Sequence, residues 1–398
     1  MIAQHSRPKT RLKCCIQKGL TCPEADAYDG LFDYDFYLGR PGFMTQRRRV
    51  FPVLALVALA SSIALRAQAP PNKDDKKKSD AQNKEIQNIV KMVDGIASGQ
   101  PAPNDLALTW VREDVLKAQG NKEYVPFTVS VDASKVSGST VAFYWRVVNK
   151  NAAPAATDAK KDEKKDDKNN KKSDFAYEDI AFVPVAAGQA PMRISRSFTV
   201  PAGSYDVFLI AKEPTSDKAP KNAPPAKASV VKHTIDVPDF WNGELATSSV
   251  IVAQRIDPLP APLTPQQQAD RPYALGGMEI VPAFETKFTK KSELSTFMLI
   301  YNPMVDSANK PDVSVEYNFY QKAAGQPEKF FNKTNPQSLN AQTLPPQFDL
   351  AAGHQLQSGQ AVPLASFPEG DYRLEIKVTD KLANKTLTRE IIFTISPS

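Results

Sequence analysis

The sequence predicts an all-β protein of two tandem β-sandwiches, and three observations carry that expectation. First, the tail alternates. Tyr372, Leu374, Ile376 and Val378 are separated by Arg373, Glu375 and Lys377, and the return run repeats the pattern through Leu387, Ile391, Phe393 and Ile395. A period of two sets one apolar face on a core and one charged face in water, so the pair reads as a closing hairpin. Second, the phrase occurs twice: Val200-Pro-Ala-Gly203-Ser-Tyr205-Asp-Val207-Phe-Leu209, with a return strand at 230–237, precedes it. Third, 41% apolar and 24% charged residues describe a globular chain, and 33 Pro against 17 Gly with 20 Phe and 12 Tyr suits strands joined by stiff loops. A chain of 398 residues has room for two domains, each with its own core.

Residues 1–43 show no sustained periodicity. Met44-Thr-Gln-Arg47-Arg48-Arg49 then leads into a run at 50–65 that is apolar except for Ser61 and Ser62, and Ala67-Gln68-Ala69 follows. A basic head, a short apolar core and a small-residue end make 44–69 a secretory signal peptide, cleaved after Ala67 or Ala69. Translation is expected to start at Met44, which leaves 1–43 as a mis-assigned extension. The alternative keeps residues 50–66 as an uncleaved membrane anchor, against which the shortness of the run argues. The expected location is extracytoplasmic, periplasmic or secreted, with the membrane touched only through this segment if it is retained. No cysteine follows the apolar core, which excludes a lipoprotein anchor, and since Cys14, Cys15 and Cys22 all precede residue 44, the rest of the chain forms no disulfides.

The net charge of +6 would suggest nucleic acid or an acidic surface as partner, but it sits in the wrong place. From Gln68 onward, 40 basic residues face 39 acidic ones, so no nucleic-acid partner is expected.

Residues 70–103 read as a polar lead, through 84, and a short amphipathic helix. Ile86, Ile89, Val90, Val93 and Ile96 form its stripe, with Gly99 at the stop. The stripe is expected to pack on the first sandwich in preference to a partner helix. The first sandwich spans 104–240, with strands near 106–111, 124–131, 141–148, 176–183, 193–200, 205–211 and 230–237. In the third of these Val141, Phe143, Trp145 and Val147 share a face, which predicts a central strand with a buried indole. Two inserts, 157–174 and 214–227, are rich in Lys and bury too little apolar surface to offset their ordering entropy. A Pro-rich connector covers 241–277, and its apolar run Val250-Ile251-Val252-Ala253 is expected to pair with a sheet edge. The second sandwich, 278–398, has strands near 278–282, 294–301 and 313–320, a long irregular segment at 326–364, and the tail hairpin.

The repeat extends beyond the hairpin. Glu123-Tyr-Val-Pro-Phe127 lines up with Glu293-Leu-Ser-Thr-Phe297, Val141-Ala-Phe-Tyr-Trp145 with Val313-Ser-Val-Glu-Tyr317, and Tyr205 with Tyr372. Gly-x-Tyr ahead of an alternating strand resembles the tyrosine corner of immunoglobulin-like sandwiches, where the hydroxyl bonds back to the backbone. With Pro368-Glu-Gly-Asp-Tyr-Arg-Leu-Glu-Ile-Lys-Val-Thr-Asp380, the chain from about residue 104 on resembles secreted proteins of Acidobacteria and their relatives that carry paired immunoglobulin-like domains. In those, the pair accompanies or replaces a von Willebrand A-like or G-W-x-T-D module. Neither module is present here: no G-W-x-T-D occurs, and Asp132-Ala-Ser134-Lys-Val136 lacks the last serine of the metal motif. The resemblance implies fold and location and assigns no functional residue.

No catalytic, cofactor or metal site is expected. After residue 44 the histidines are His233 and His354, each without a neighbouring His or Cys, and a lone imidazole is more often a satisfied or surface residue than a ligand. Neither a P-loop nor a dinucleotide fingerprint occurs. Trp110, Trp145 and Trp241 could stack sugars, although single tryptophans more often serve packing. The candidate binding residues are Phe330, Phe331, Phe348 and His354 in the 326–364 segment, because aromatic content argues against simple disorder in a long loop. Tyr205, Tyr372 and Trp145 are expected to be structural. The expectation is an exported, non-enzymatic protein with a protein partner in the envelope; the alternative is a hydrolase or carbohydrate-active protein with an unrecognised cleft.

Overall fold

The structure, a computed structural model, describes residues 73–151, 175–185, 191–215, 225–323 and 325–397, with side chains of the first helix from Gln82 onward. The extension and signal segment, the insert 157–174 and residues 216–224 of the second insert lie outside the described residues. Strand accounts for 52% and helix for 9%, which makes the chain all-β.

In the first half, β1 (Thr109–Glu113), β2 (Leu116–Lys117), β3 (Glu123–Val131) and β6 (Met192–Val200) form one sheet, with β3 pairing each of the others. The facing sheet runs β5–β4–β7–β8, from β4 (Thr140–Asn149), β5 (Tyr177–Pro184), β7 (Gly203–Lys212) and β8 (Ala228–Val237). Val125, Phe127 and Val129 of β3 meet Phe143, Trp145 and Val147 of β4 in one core, so the shared face read from the alternation is the inward one.

The second half begins inside the Pro-rich segment with β9 (Ala246–Thr247), β10 (Ile251–Pro258), helix α2 (Pro265–Asp270) and β11 (Ala274–Leu275). After β12 (Met278–Pro282), β13 (Lys287–Thr289) and β14 (Glu293–Tyr301) come β15 (Val313–Lys322), β16 (Lys329–Lys333) and β17 (Gln337–Leu339), then β18 (Leu356–Pro363), β19 (Gly370–Asp380) and β20 (Lys385–Ser396). One sheet is β11–β12–β10–β14–β18, with β9 also on β14; the other is β13–β20–β19–β15–β16, with β17 also on β15. The strand order of the first half recurs. β14 pairs β18 as β3 pairs β6, and β15–β19–β20 repeats β4–β7–β8.

The tail hairpin is in register from Gly370↔Ile395 to Asp380↔Lys385. Tyr372, Leu374, Ile376 and Val378 are buried, while Arg373, Glu375 and Lys377 point to the other face.

Helix α1 (Lys73–Ala97) starts well before the predicted stripe. Lys, Gln and Glu are good helix formers, Asp74 and Asp75 suit the positive end of the helix dipole, and a turn fixed by tertiary packing extends at little cost. Ile89 and Val93, both fully buried, pack on Ala142, Tyr144, Phe208, Ile210 and Val230, the outer face of the β4 sheet. A buried Glu85–Lys212 ion pair and an Arg146–Asp94 bridge at 2.7 Å fasten the two ends of the contact. The matching face of the second half carries Glu316, Asn318, Glu375 and Lys377 instead. Among the described residues, the apolar groups on that face, Tyr320, Phe330 and Ile392, are interspersed with these charges and carry no helix.

The run Ile251-Val252-Ala253 pairs antiparallel with Phe297, Thr296 and Ser295 of β14. Both of its faces are covered: Ile251 and Ala253 join the core of the first half, and Val252 joins that of the second. A strand buried on both sides is apolar throughout rather than alternating. β14 behaves alike, with Phe297, Leu299 and Tyr301 in the first cluster and Leu294, Met298 and Ile300 in the second. The apolar run, expected to pair with a sheet edge, is instead part of an inner strand between β12 and β14, in the sheet that joins the halves.

Candidate functional site

The segment 326–364 is not an irregular loop, because it holds β16, β17 and β18. Its strands escaped sequence reading since β18 lies at a sheet edge and carries polar residues on both faces, so period two is masked and pairing sets the conformation. Gly359 marks the close approach: a Cβ there would lie 2.8 Å from the Thr296 carbonyl oxygen.

The four candidate binding residues do not converge. Phe331 turns inward, with its ring 4.8 Å from that of Phe367 and 5.5 Å from that of Tyr372. Phe330, its neighbour on β16, faces out and meets Tyr320 edge-on at 5.8 Å. Phe348 is buried in the second core. His354 accepts the Asp349 N–H through Nδ1 at 2.9 Å and leans on Phe348, so it fastens its own turn. Phe331→Ser is therefore expected to cost about 2–4 kcal/mol by urea unfolding, and Phe330→Ser no more than about 0.5 kcal/mol. Equal losses would contradict this placement.

The tryptophans are committed elsewhere. Trp110 stacks on Phe127 at 5.2 Å and on His233 at 4.2 Å, so its ring is taken up by packing. Glu113 accepts from the Trp110 indole and sits 3.3 Å from His233 Nε2. Trp145 is buried and donates to the Ser197 carbonyl at 3.2 Å. Trp241 is 40% exposed, donates to the Lys122 carbonyl at 3.1 Å and carries Lys117 Nζ 4.3 Å from its ring centre.

The polar groups that do converge lie where the halves meet. Arg112 grips Asp114 through two bonds, Nε to Oδ2 at 2.6 Å and a second guanidinium nitrogen to Oδ1 at 2.7 Å. Tyr273 donates to Asp114 Oδ2 at 2.8 Å, and Arg112 reaches on to the carbonyls of Ala283 and Val250. Burial pushes the Asp114 carboxyl up despite both partners, and pushes the Tyr273 phenol well above its ordinary value. Arg196 with Asp270, at 3.0 Å, and Arg193 over Phe284 tie β6 to the same side.

A second group surrounds the chain as it leaves β8. Glu123 Oε1 accepts the Phe240 N–H at 3.0 Å, and the Phe240 ring lies 4.9 Å from that of Tyr301. The Tyr301 hydroxyl accepts the Lys117 N–H at 3.0 Å. Asn302 holds the carbonyls of Phe240 and Glu244 and accepts from Lys117 Nζ at 3.0 Å. Sequence reasoning missed both groups. Glu123 was visible only as the partner of Glu293 in the repeat, and Asp114 lies beyond the strand expected near 106–111.

Among the described residues, no group of three or more His, Cys, Asp or Glu is placed to hold a metal ion, and no helix is long and apolar enough to cross a membrane. No family model matches the chain, and no curated protein matches it. Solved structures similar to it include Salmonella alpha-2-macroglobulin reacted with methylamine, at 14% identity over 75% of this chain and 17% of that one, with a TM-score of 0.19. Red sea bream transglutaminase follows at 9% identity, 73% and 32% coverage and TM-score 0.16. The native conformation of E. coli alpha-2-macroglobulin is similar at 10% identity, 75% and 16% coverage and TM-score 0.20. The chain spans less than a third of each of these, and the likeness is too distant to decide fold or function. The fold rests on the sheets themselves.

Proposed function

We propose that the chain is an exported, non-catalytic protein of two tandem immunoglobulin-like sandwiches, serving binding or structural assembly with a protein partner in the cell envelope. The observation that carries this reading is the repeated strand order together with its two matched tyrosines. Tyr205 donates to the Pro201 carbonyl and Tyr372 to the Pro368 carbonyl, each at 2.8 Å and each four residues back. This is the contact a tyrosine corner makes in an immunoglobulin-like sandwich. Gly203 serves it as well, since its φ of +156° is one that L side chains rarely adopt. Halves fused through β10 and β14 suit a part that holds a fixed geometry between partners, and the resemblance to secreted paired-domain proteins points the same way.

The test is made in the source cells. Fractionation is expected to recover the chain outside the cytoplasm with its N-terminus near Gln68 or Pro70, and cross-linking in intact cells to give a defined protein adduct. Cytosolic chains bearing peptides from Cys14 to Cys22 would overturn the export reading. Release of sugars from envelope polysaccharide by the purified protein would replace the binding role with the hydrolase alternative.

A further inference from the structure

Glu123 is the one described side chain that the fold buries and leaves half unsatisfied. It is fully buried, and its Oε2 makes no hydrogen bond within the protein. A buried carboxylate oxygen without a donor is costly, whereas a buried carboxylic acid is much less so. Its other oxygen holds Phe240 N–H, the first contact of the segment that carries the chain from β8 to β9. That segment is wedged between the β2–β3 turn of the first half and the end of β14 in the second. The Trp241 indole bonds to the Lys122 carbonyl on one side, and Asn302 bonds to the carbonyls of Phe240 and Glu244 on the other.

The charged and titratable groups that face Glu123 come from three elements. Lys117 is its register partner on β2, Asp239 precedes Phe240 in the segment itself, and the Tyr301 phenol belongs to β14. Lys117 favours the ionised carboxylate and Asp239 opposes it. Lys117 Nζ, however, is engaged by Asn302 and the Trp241 ring rather than by Glu123 Oε2.

We propose that Glu123 is a proton-operated latch on the joint between the two halves: protonated, it keeps the 238–245 segment closed, and ionised, it lets that segment open to water. Burial above all raises the carboxyl from 4.5 to about 7 in the closed joint, with Asp239 adding to the rise. The closed state therefore binds the proton more tightly than an open, solvated one. Closure is favoured fully below about pH 4.5, weakens as pH climbs toward about 7, and loses nothing more above that.

Hydrogen exchange of the full chain, read by mass spectrometry and corrected for intrinsic rates, tests the latch. Protection of peptides covering 238–245 is expected to fall at least about tenfold between about pH 5 and about pH 7.5, while the β19 peptide keeps its protection. Glu123→Gln keeps the shape and removes the proton, so its joint should stay protected at both pH values. Asp239→Asn removes the charge that opposes ionisation and should move the midpoint to lower pH. A flat profile in the parent chain, a step that survives in Glu123→Gln, or a step shared equally by β19 would each overturn the proposal. A midpoint that Asp239→Asn leaves in place would do the same.

Discussion

Asp114→Ala is expected to lower the free energy of unfolding by about 3–5 kcal/mol, because it breaks a buried pair by removing one partner. Arg112 would keep its charge with only two carbonyl oxygens to meet it, and the buried Tyr273 hydroxyl would lose its acceptor. The damage falls at the contact between halves, so both should loosen together in urea rather than in separate steps. The double change Arg112→Met with Asp114→Leu should recover much of the loss, since an apolar replacement of the whole pair leaves no stranded charge. A loss for Asp114→Ala below about 1 kcal/mol would mean that water already reaches the carboxylate.

Tyr372→Ala is expected to cost about 3–5 kcal/mol, the range for deleting a large buried ring. The ring stacks on Phe393 at 5.3 Å and meets Phe367 and Phe331 edge-on at 5.5 Å, so its loss hollows out the point where β16, β19 and β20 converge. Tyr372→Phe removes only the bond to Pro368 and should cost about 1 kcal/mol. Tyr205→Phe should match it, because the bond to Pro201 has the same length and the same four-residue reach. An unchanged melting curve for the alanine variant would show that the corner does not anchor the sandwich.

Where a residue's role follows from period, it was legible. The tail hairpin, the inward face of Val141 to Val147 and the helix stripe each announce what they bury through spacing alone, whereas the apolar run expected at a sheet edge is an inner strand, paired on both sides. Edge strands such as β16 and β18 were not legible, since their conformation comes from the strand they pair with. The joint was least legible of all. Glu123 and Glu293 occupy matching places in the repeat, yet one is fully buried and the other exposed. The difference comes from Phe240 and Tyr301, which are far along the chain, and nothing near Glu123 signals it. Phe331 shows the converse error: aromatic residues in an apparently irregular stretch suggest a binding surface, while the paired strand turns one of them into the core.

The seat of α1 also sets a timetable for the nascent chain. Glu85 must wait for Lys212, 127 residues later, and the stripe beside it must wait for Phe208, Ile210 and Val230. At a synthesis rate of roughly 5–20 residues per second, that interval is about 6–25 s. Throughout it, Ile89, Val90, Val93 and Ile96 have been made and the sheet they cover has not. Any chain of this sequence emerging from a ribosome therefore completes the apolar stripe of α1 well before the last strands that cover it.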